Sequence, residues 1–293
     1  MSSPNVGIEG DFIQTSSCEE KIMALKDRSL AFIGGGHITE IILSNLTKSD
    51  NAVSECLIVS DPVKEKGQHL KKGYGISTAK DNMEAVSMGD FIFINVLPHV
   101  VGEVVEELKR NGLPDNKVII TVAAGIPMKA YEGLGNQLPV VRALPNPPSQ
   151  VGMGIAALAF NAHVAEDIRE DIIELFACLG EYVVVKEEQI NTVMALSSPT
   201  ITYMLFQSLI DAGVRAGIDR TTATKIVYQT IAGSMAVWNT RQVPPHELIS
   251  EASTPGGISI ESLYTLETYA FKAGIMEAID SAINRAVELS QAV

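Results

Sequence analysis

Cysteine is scarce in this chain, and its three copies, Cys18, Cys56 and Cys178, lie far apart with no CxxC pair. That scarcity excludes a disulfide framework and a thiolate zinc site, and it fits free thiols in a reducing compartment. Histidine is equally thin: five dispersed residues suggest no cluster, so no metal is expected. Positive charge is in deficit too. Lysine and arginine total 22 against 35 acidic residues, a formal net charge of −13, whereas nucleic acid or an anionic membrane calls for a basic surface. A small basic pocket for an anionic ligand remains compatible with that balance. No apolar run reaches the length of a membrane span. The opening MSSPNVGIEGDFIQTSSCEEK has early acids in place of the apolar core of a signal peptide. These absences point to a cytoplasmic protein with neither nucleic-acid nor membrane partners.

What is present is 46% apolar residue in 293, enough for two domains with a sizeable core. Residues 1–27 are polar and weakly patterned, and read as an N-terminal extension. From there apolar strands alternate with helical patterns: SLAFIGGG then HITEIILSNLTKS, ECLIVSDP then a Lys-rich helix, FIFINVLP then VVGEVVEELKRNG, then KVIITVAAGIP. Further strands follow in PVVRALPNPPSQVGMGIAALAF and EYVVVKE. Continuous β-branched runs between helices predict an α/β fold, with a parallel sheet covered on both faces, over 28–188. Beyond it, 189–293 reads as all-helical. Ser198 looks like a cap and Pro199 suits a first turn, for a helix that stops at Gly217. The helices of this second domain carry much apolar surface for about a hundred residues, which suggests that some of it is buried against a partner chain, and two-fold homodimers are the commonest such assembly.

AFIGGGHITEI sets Gly34-x-Gly36-x-x-Thr39 between a strand and a helix. Gly34 can make the tight turn and Gly36 can let the backbone approach a pyrophosphate at the helix N-terminus, although Thr39 stands where the dinucleotide fingerprint has Gly or Ala. His37 next to the glycines reads as a helix cap or phosphate cover, too close to the pyrophosphate to donate a proton at a nicotinamide. At the end of the second strand, Asp61 could bind ribose hydroxyls, Ser60 and Lys64 could accept a 2′-phosphate, or Asp-Pro could simply end the strand. A carboxylate there would repel a 2′-phosphate, which leans the expectation slightly to NADH.

Several separated motifs together resemble the pyrroline-5-carboxylate reductases. FIGGGHITEIIL resembles their I-G-G-G-N-M loop, FIFINVLPHVV their A-V-K-P segment, TVAAGIP their A-A-G-I, and VVRALPNPPSQVGMG their R-x-M-P-N-T-P-x-x-x-G-x-G. LIDAGVRAGIDRTTATKIVYQTIAGSMAV is similar to their dimerisation helices, and STPGGISIESLYTLE to their S-P-G-G-T-T-I-x-x-L-x-x-L-E signature. The resemblance covers nearly all of 29–293. It implies a Rossmann-type doubly wound sheet followed by an all-helical dimerisation domain, a homodimer or higher oligomer through the C-terminal helices, and NAD(P)H-dependent reduction of a cyclic imine to proline. Carried over by motif, the cofactor would meet Gly34, Gly36, His37, Ile38, Ser60, Asp61, Asn95, Val96, Leu97, Pro98, Ala124, Gly125 and Asn146. The substrate would lie between the nicotinamide and the turn Thr254, Gly256, Gly257, Ser259. In that turn Thr254 would be the carboxylate donor and Ser259 the hydroxyl beside the imine nitrogen.

The chain departs from these motifs in places that bear on the substrate. Leu97 stands for Lys, Pro147 for Thr, Ser197-Ser198-Pro199 for a longer glycine-rich segment, and Ile258-Ser259 for a small-Thr or Thr-Thr pair. Glu251 replaces an uncharged polar residue, and would disfavour an anionic substrate unless it points away or pairs. Proline formation therefore competes with reduction of another imine and with a non-catalytic dimeric regulator. A hydroxyacid dehydrogenase of similar plan is a third class; it would need a helix lysine as proton donor, for which Lys225 is the candidate and a solvated helix face the plainer explanation.

Overall fold

The computed structural model describes residues 28–47 and 54–291, so the proposed extension 1–27 lies outside the described residues. Contacts divide the chain into two units. One holds the sheet up to Ser198 together with the residues from Ile279 on, and the other is Pro199–Ala278. The division thus falls ten residues beyond the boundary expected at 188/189, and the end of the last helix returns to the sheet unit.

The sheet has eight strands: β1 Leu30–Ile33, β2 Leu57–Ser60, β3 Ser77–Thr78, β4 Phe91–Ile94, β5 Val118–Thr121, β6 Val140–Pro145, β7 Gly154–Phe160 and β8 Gly180–Val184. Their order is β3-β2-β1-β4-β5-β6-β7-β8. The helices are α1 His37–Leu46, α2 Lys64–Tyr74, α3 Asn82–Met88, α4 Val101–Asn111, α5 Glu166–Ala177 and α6 Ile190–Ser197. Every residue of β1, β2, β4 and β5 is buried, as continuous apolar strands between two helical layers require. The pleat splits them by face. Leu30 and Phe32 pack with α1 and α5, where Phe32 stacks on Phe93 at 4.7 Å, while Ala31 and Ile33 pack with α3 and α4. Helix α4 shows why it docks: Val101, Val104, Val105 and Leu108, at i, i+3, i+4 and i+7, are its buried residues. Each such fully buried side chain contributes roughly 1.5–3 kcal/mol.

The expectation of a parallel sheet needs one correction, because β6 and β7 are antiparallel. Only residues 146–153 join them, and a parallel crossover needs roughly a dozen or more. The remaining pairings are parallel, so the doubly wound plan stands.

The second unit is helical: α7 Thr200–Arg215, α8 Arg220–Arg241, α9 Pro245–Ala252, α10 Ile258–Thr268 and the start of α11 Phe271–Gln291. Pro199, not Ser198, occupies the N-cap position of α7. Asp219 caps α8 by accepting the Thr222 amide at 3.0 Å, as short polar side chains do at helix starts. Helices α7 and α8 meet at Gly213 and Ala223, and Arg220 bridges to Asp211 at 3.0 Å. Within Pro199–Ala278, Ala223 is the single buried residue, whereas Tyr203, Met204, Tyr228, Ile258, Tyr264, Tyr269 and Met276 are all more than half exposed. By length and composition the stretch Glu187–Arg215 is also apolar enough to cross a membrane, where the sequence reading found no such run. Its backbone is broken at Ser198, which lies in an extended conformation between α6 and α7.

Candidate functional site

The β1–α1 turn is built by contacts that admit only glycine at its first position. Gly34 has φ +102, and a Cβ there would stand 2.6 Å from the Asn95 carbonyl oxygen, a conformation and approach that side chains do not tolerate. The turn is held on three sides. The Gly34 amide donates to the Ser60 carbonyl at 2.8 Å, the Gly35 amide donates to Asp61 Oδ2 at 2.8 Å, and Thr39 Oγ1 donates to the Gly34 carbonyl at 2.6 Å. Gly36 is the N-cap of α1 with no side-chain cap, and nothing lies within 4 Å of where its Cβ would be. The first amides of α1 therefore open onto free space, the arrangement that receives a phosphate at a helix N-terminus.

That space is a cavity of about 820 Å³ at the carboxyl ends of β1, β2 and β4, within the roughly 300–1,000 Å³ usual for small-ligand and cofactor sites. Eleven of the thirteen residues expected at the cofactor line it: Gly34, Gly36, His37, Ile38, Ser60, Asp61, the run Asn95 to Pro98, and Ala124. Gly125 and Asn146 do not. A Cβ on Gly125, φ +78, would come within 2.9 Å of the Ala286 carbonyl oxygen and 3.0 Å of Leu289 Cβ, so this glycine serves the packing of α11. Asn146 uses both ends of its amide for structure, donating to the Ser197 carbonyl at 2.9 Å and accepting the Ile155 amide at 2.8 Å.

Asp61 lines the cavity, yet its carboxylate is tied down. Oδ2 accepts the Gly35 amide, Oδ1 accepts the Val63 amide at 2.8 Å, and Lys66 Nζ stands 3.8 Å from Oδ2. The strand-ending turn is thus realised, and the same group shapes the glycine loop. Sequence reasoning missed a second carboxylate on this wall: Ser60 Oγ donates to Asn82 Oδ1 at 2.8 Å and Asn82 Nδ2 donates to Glu107 Oε2 at 2.7 Å. The three residues are 22 and 25 positions apart, and no local spacing announces such a chain. Four carboxylates, Asp61, Asp81, Glu103 and Glu107, line the cavity against two lysines, Lys66 and Lys80. Leu97 also lines it and is 65% exposed. Pro147 opens a short 3-10 turn, where the amide it lacks would have no helical acceptor.

Within the helical unit the Pro-Gly-Gly turn is equally specific. The Gly257 amide donates to the Thr254 carbonyl at 3.0 Å, Gly256 has φ +68, and a Cβ on Gly257 would stand 2.4 Å from Thr254 Oγ1. Gly257 is the N-cap of α10 and supplies no side-chain cap, so the first amides of that helix, including Ser259, are open to an anion. Thr254 and Ser259 are exposed. Glu251 pairs: Arg241 grips it with two hydrogen bonds of 2.5 and 2.7 Å. Those bonds hold the Glu251 carboxyl below its ordinary range and raise the Arg241 guanidinium, so the Glu251 charge is paired. Lys225 is exposed on α8.

The residues present fit a dinucleotide on three counts. Gly34 has no room for a side chain, the α1 amides are uncapped, and Asn95 Oδ1 is buried with no hydrogen-bond partner among the described residues. A doubly wound sheet with such a turn at its switch point defines the class of Rossmann-type dinucleotide-binding proteins.

Comparison with known proteins narrows the class. Residues 187–289 match the family model for pyrroline-5-carboxylate reductase dimerisation, and residues 29–125 match that for NADP oxidoreductase, coenzyme F420-dependent. The pyrroline-5-carboxylate reductase of Corynebacterium melassecola is 31% identical over 270 residues, covering 90% of this chain and 99% of the relative. That of Escherichia coli K12 is 29% identical over 268 residues, covering 90% and 99%. Among solved structures, the Streptococcus pyogenes 1-pyrroline-5-carboxylate reductase superposes with a TM-score of 0.81 at 27% identity, covering 89% of this chain and 98% of that one. The Plasmodium falciparum pyrroline carboxylate reductase with NADP bound gives 0.80 at 26% identity, covering 90% and 99%. The chain belongs to the pyrroline-5-carboxylate reductase family.

Proposed function

We propose that this protein reduces 1-pyrroline-5-carboxylate to proline with NAD(P)H. The observation that carries this is the glycine turn and its uncapped helix opening on one cavity, in a chain of this family. When bound, the reduced nicotinamide supplies the hydride for the imine carbon. Gly34, Gly36 and the first amides of α1 bind the pyrophosphate, and Asn95 to Pro98 with Ala124 wall the nicotinamide half. In the helical unit, Thr254 Oγ1 and the open amides of α10 receive the substrate carboxylate, an anion site made from successive N–H groups without a full positive charge. Ser259 holds its hydroxyl for the ring nitrogen. A substrate that binds as the protonated iminium needs no strong general acid, so a serine suffices and Lys225 is not required.

Four carboxylates against two lysines around the cavity favour NADH, because a 2′-phosphate would add negative charge to a wall already negative. The exposed apolar faces of α7 to α10 are the surface on which a second copy docks, making a homodimer in the cytoplasm. Leu97, apolar and exposed on the cavity where the family motif carries lysine, favours a second reading in which the substrate is a related cyclic imine. Purified protein mixed with 1-pyrroline-5-carboxylate and either cofactor decides. Loss of nicotinamide absorbance, faster with NADH, is expected. Cofactor binding without turnover would favour the second reading, and no dinucleotide binding would refute both.

A further inference from the structure

Thr39 occupies the position that the dinucleotide fingerprint reserves for glycine or alanine, where the helix packs tightly on its strand. It is fully buried, so its hydroxyl has no water to bond. Instead it makes two contacts. Its proton goes to the Gly34 carbonyl at 2.6 Å, so toward Asn95 it acts as acceptor, taking Nδ2–H at 3.0 Å. A hydroxyl has one proton to give, and this fixes the orientation of the Asn95 amide, with nitrogen toward Thr39 and oxygen away. Asn95 Oδ1 is then a buried acceptor with no partner among the described residues. A native interior rarely leaves such an atom unpaired unless a ligand or a water completes it.

The sheet order says which half of a dinucleotide could complete it. Asn95 follows β4 and lines the cavity, and β4 lies on the side of β1 opposite β2. In a doubly wound sheet the ligand straddles this switch point, its acidic ribose partner following β2, so β4 takes the other half. We propose that Thr39 and Asn95 work as a pair, in which Thr39 is a positioning residue that orients the Asn95 amide and Asn95 Oδ1 accepts a hydroxyl of the nicotinamide-side ribose. The pair replaces the small residue of the fingerprint with a lock spanning 56 positions of sequence. This rests on the dinucleotide reading of the cavity.

The test is titration of the full chain with NADH, ADP-ribose and ADP, the last of which lacks the second ribose. Asn95→Ala leaves the Thr39–Gly34 bond in place, so the loop should hold. It is expected to weaken NADH and ADP-ribose by about ten-fold while ADP stays within about two-fold. Thr39→Val, which keeps the shape and removes the hydroxyl, should weaken NADH in the same direction, and Thr39→Ser should restore it. Unchanged NADH affinity in Asn95→Ala, or an equal loss for ADP, would overturn the pairing even if Thr39→Val fails to fold. Wild-type protein that binds none of the three would instead reject the dinucleotide site itself.

Discussion

Replacing Gly36 by alanine separates the part of the glycine turn that serves the fold from the part that serves a ligand. Gly36 sits at φ −81, an ordinary angle for alanine, and its Cβ would meet nothing within 4 Å. Alanine is a poorer N-cap than glycine by a few tenths to about 1 kcal/mol, and a less flexible unfolded chain returns a similar amount, so stability should change by less than about 1 kcal/mol. The methyl would project where the α1 amides open, and overpacking of a close contact costs about 1–3 kcal/mol, or roughly five- to 150-fold in Kd. Gly34→Ala should behave in the opposite way. Its Cβ falls 2.6 Å from the Asn95 carbonyl oxygen at φ +102, and one strained backbone position alone costs about 1–3 kcal/mol, so the protein should melt well below wild type before any ligand is added. Thermal melts and NADH titration of both variants form the assay. A Gly36→Ala protein that binds NADH like wild type, or a Gly34→Ala protein that is as stable as wild type, would refute this division of labour.

Ser259→Ala should lower turnover and leave NADH affinity unchanged; equal loss of both would reject its place at the ring nitrogen. Arg241→Ala should raise KM for the anionic substrate several-fold by freeing the Glu251 charge, and adding Glu251→Gln should reverse most of that rise; steady-state kinetics of the single and double variants checks it. Burial pushes the Tyr131 hydroxyl up to about 12 from an ordinary 10.0, against the bond it shares with Thr121. Because the folded value is the higher one, its contribution to stability is complete below about pH 10 and is lost as pH rises toward 12. Tyr131→Phe should be less stable at pH 8 yet lose less on alkalinisation, measured by melting across that range.

Much of this site was readable because its determinants are local. Strand, glycine turn and helix follow one another within AFIGGGHITEI, and the SPGG-like turn within a dozen residues. What escaped reading depends on contacts made at long range. Thr39 looked like a flaw in the fingerprint because its partner Asn95 is 56 residues away. Glu107 sits on α4 with nothing in its neighbours to link it to Ser60. Gly125 packs on α11 and Asn146 bonds across the α6–β7 junction, contacts that the motifs around these two residues do not announce. The antiparallel β6–β7 pair is legible in its short connection, against the parallel arrangement that the apolar character of the strands implies. Glu251 showed its charge in the sequence but not its partner ten residues back.

The single buried alanine of Pro199–Ala278 has a consequence for how the protein is handled. With a second copy covering these helices, as proposed above, a unit of some eighty residues that buries one residue for itself would gain much of its cohesion from that copy, and folding and subunit association would become one equilibrium. Its melting temperature should then climb with protein concentration. Assays run at high dilution would lose activity through separated chains before any active-site chemistry failed, and a variant that weakens the interface could pass for a catalytic defect until the concentration is raised.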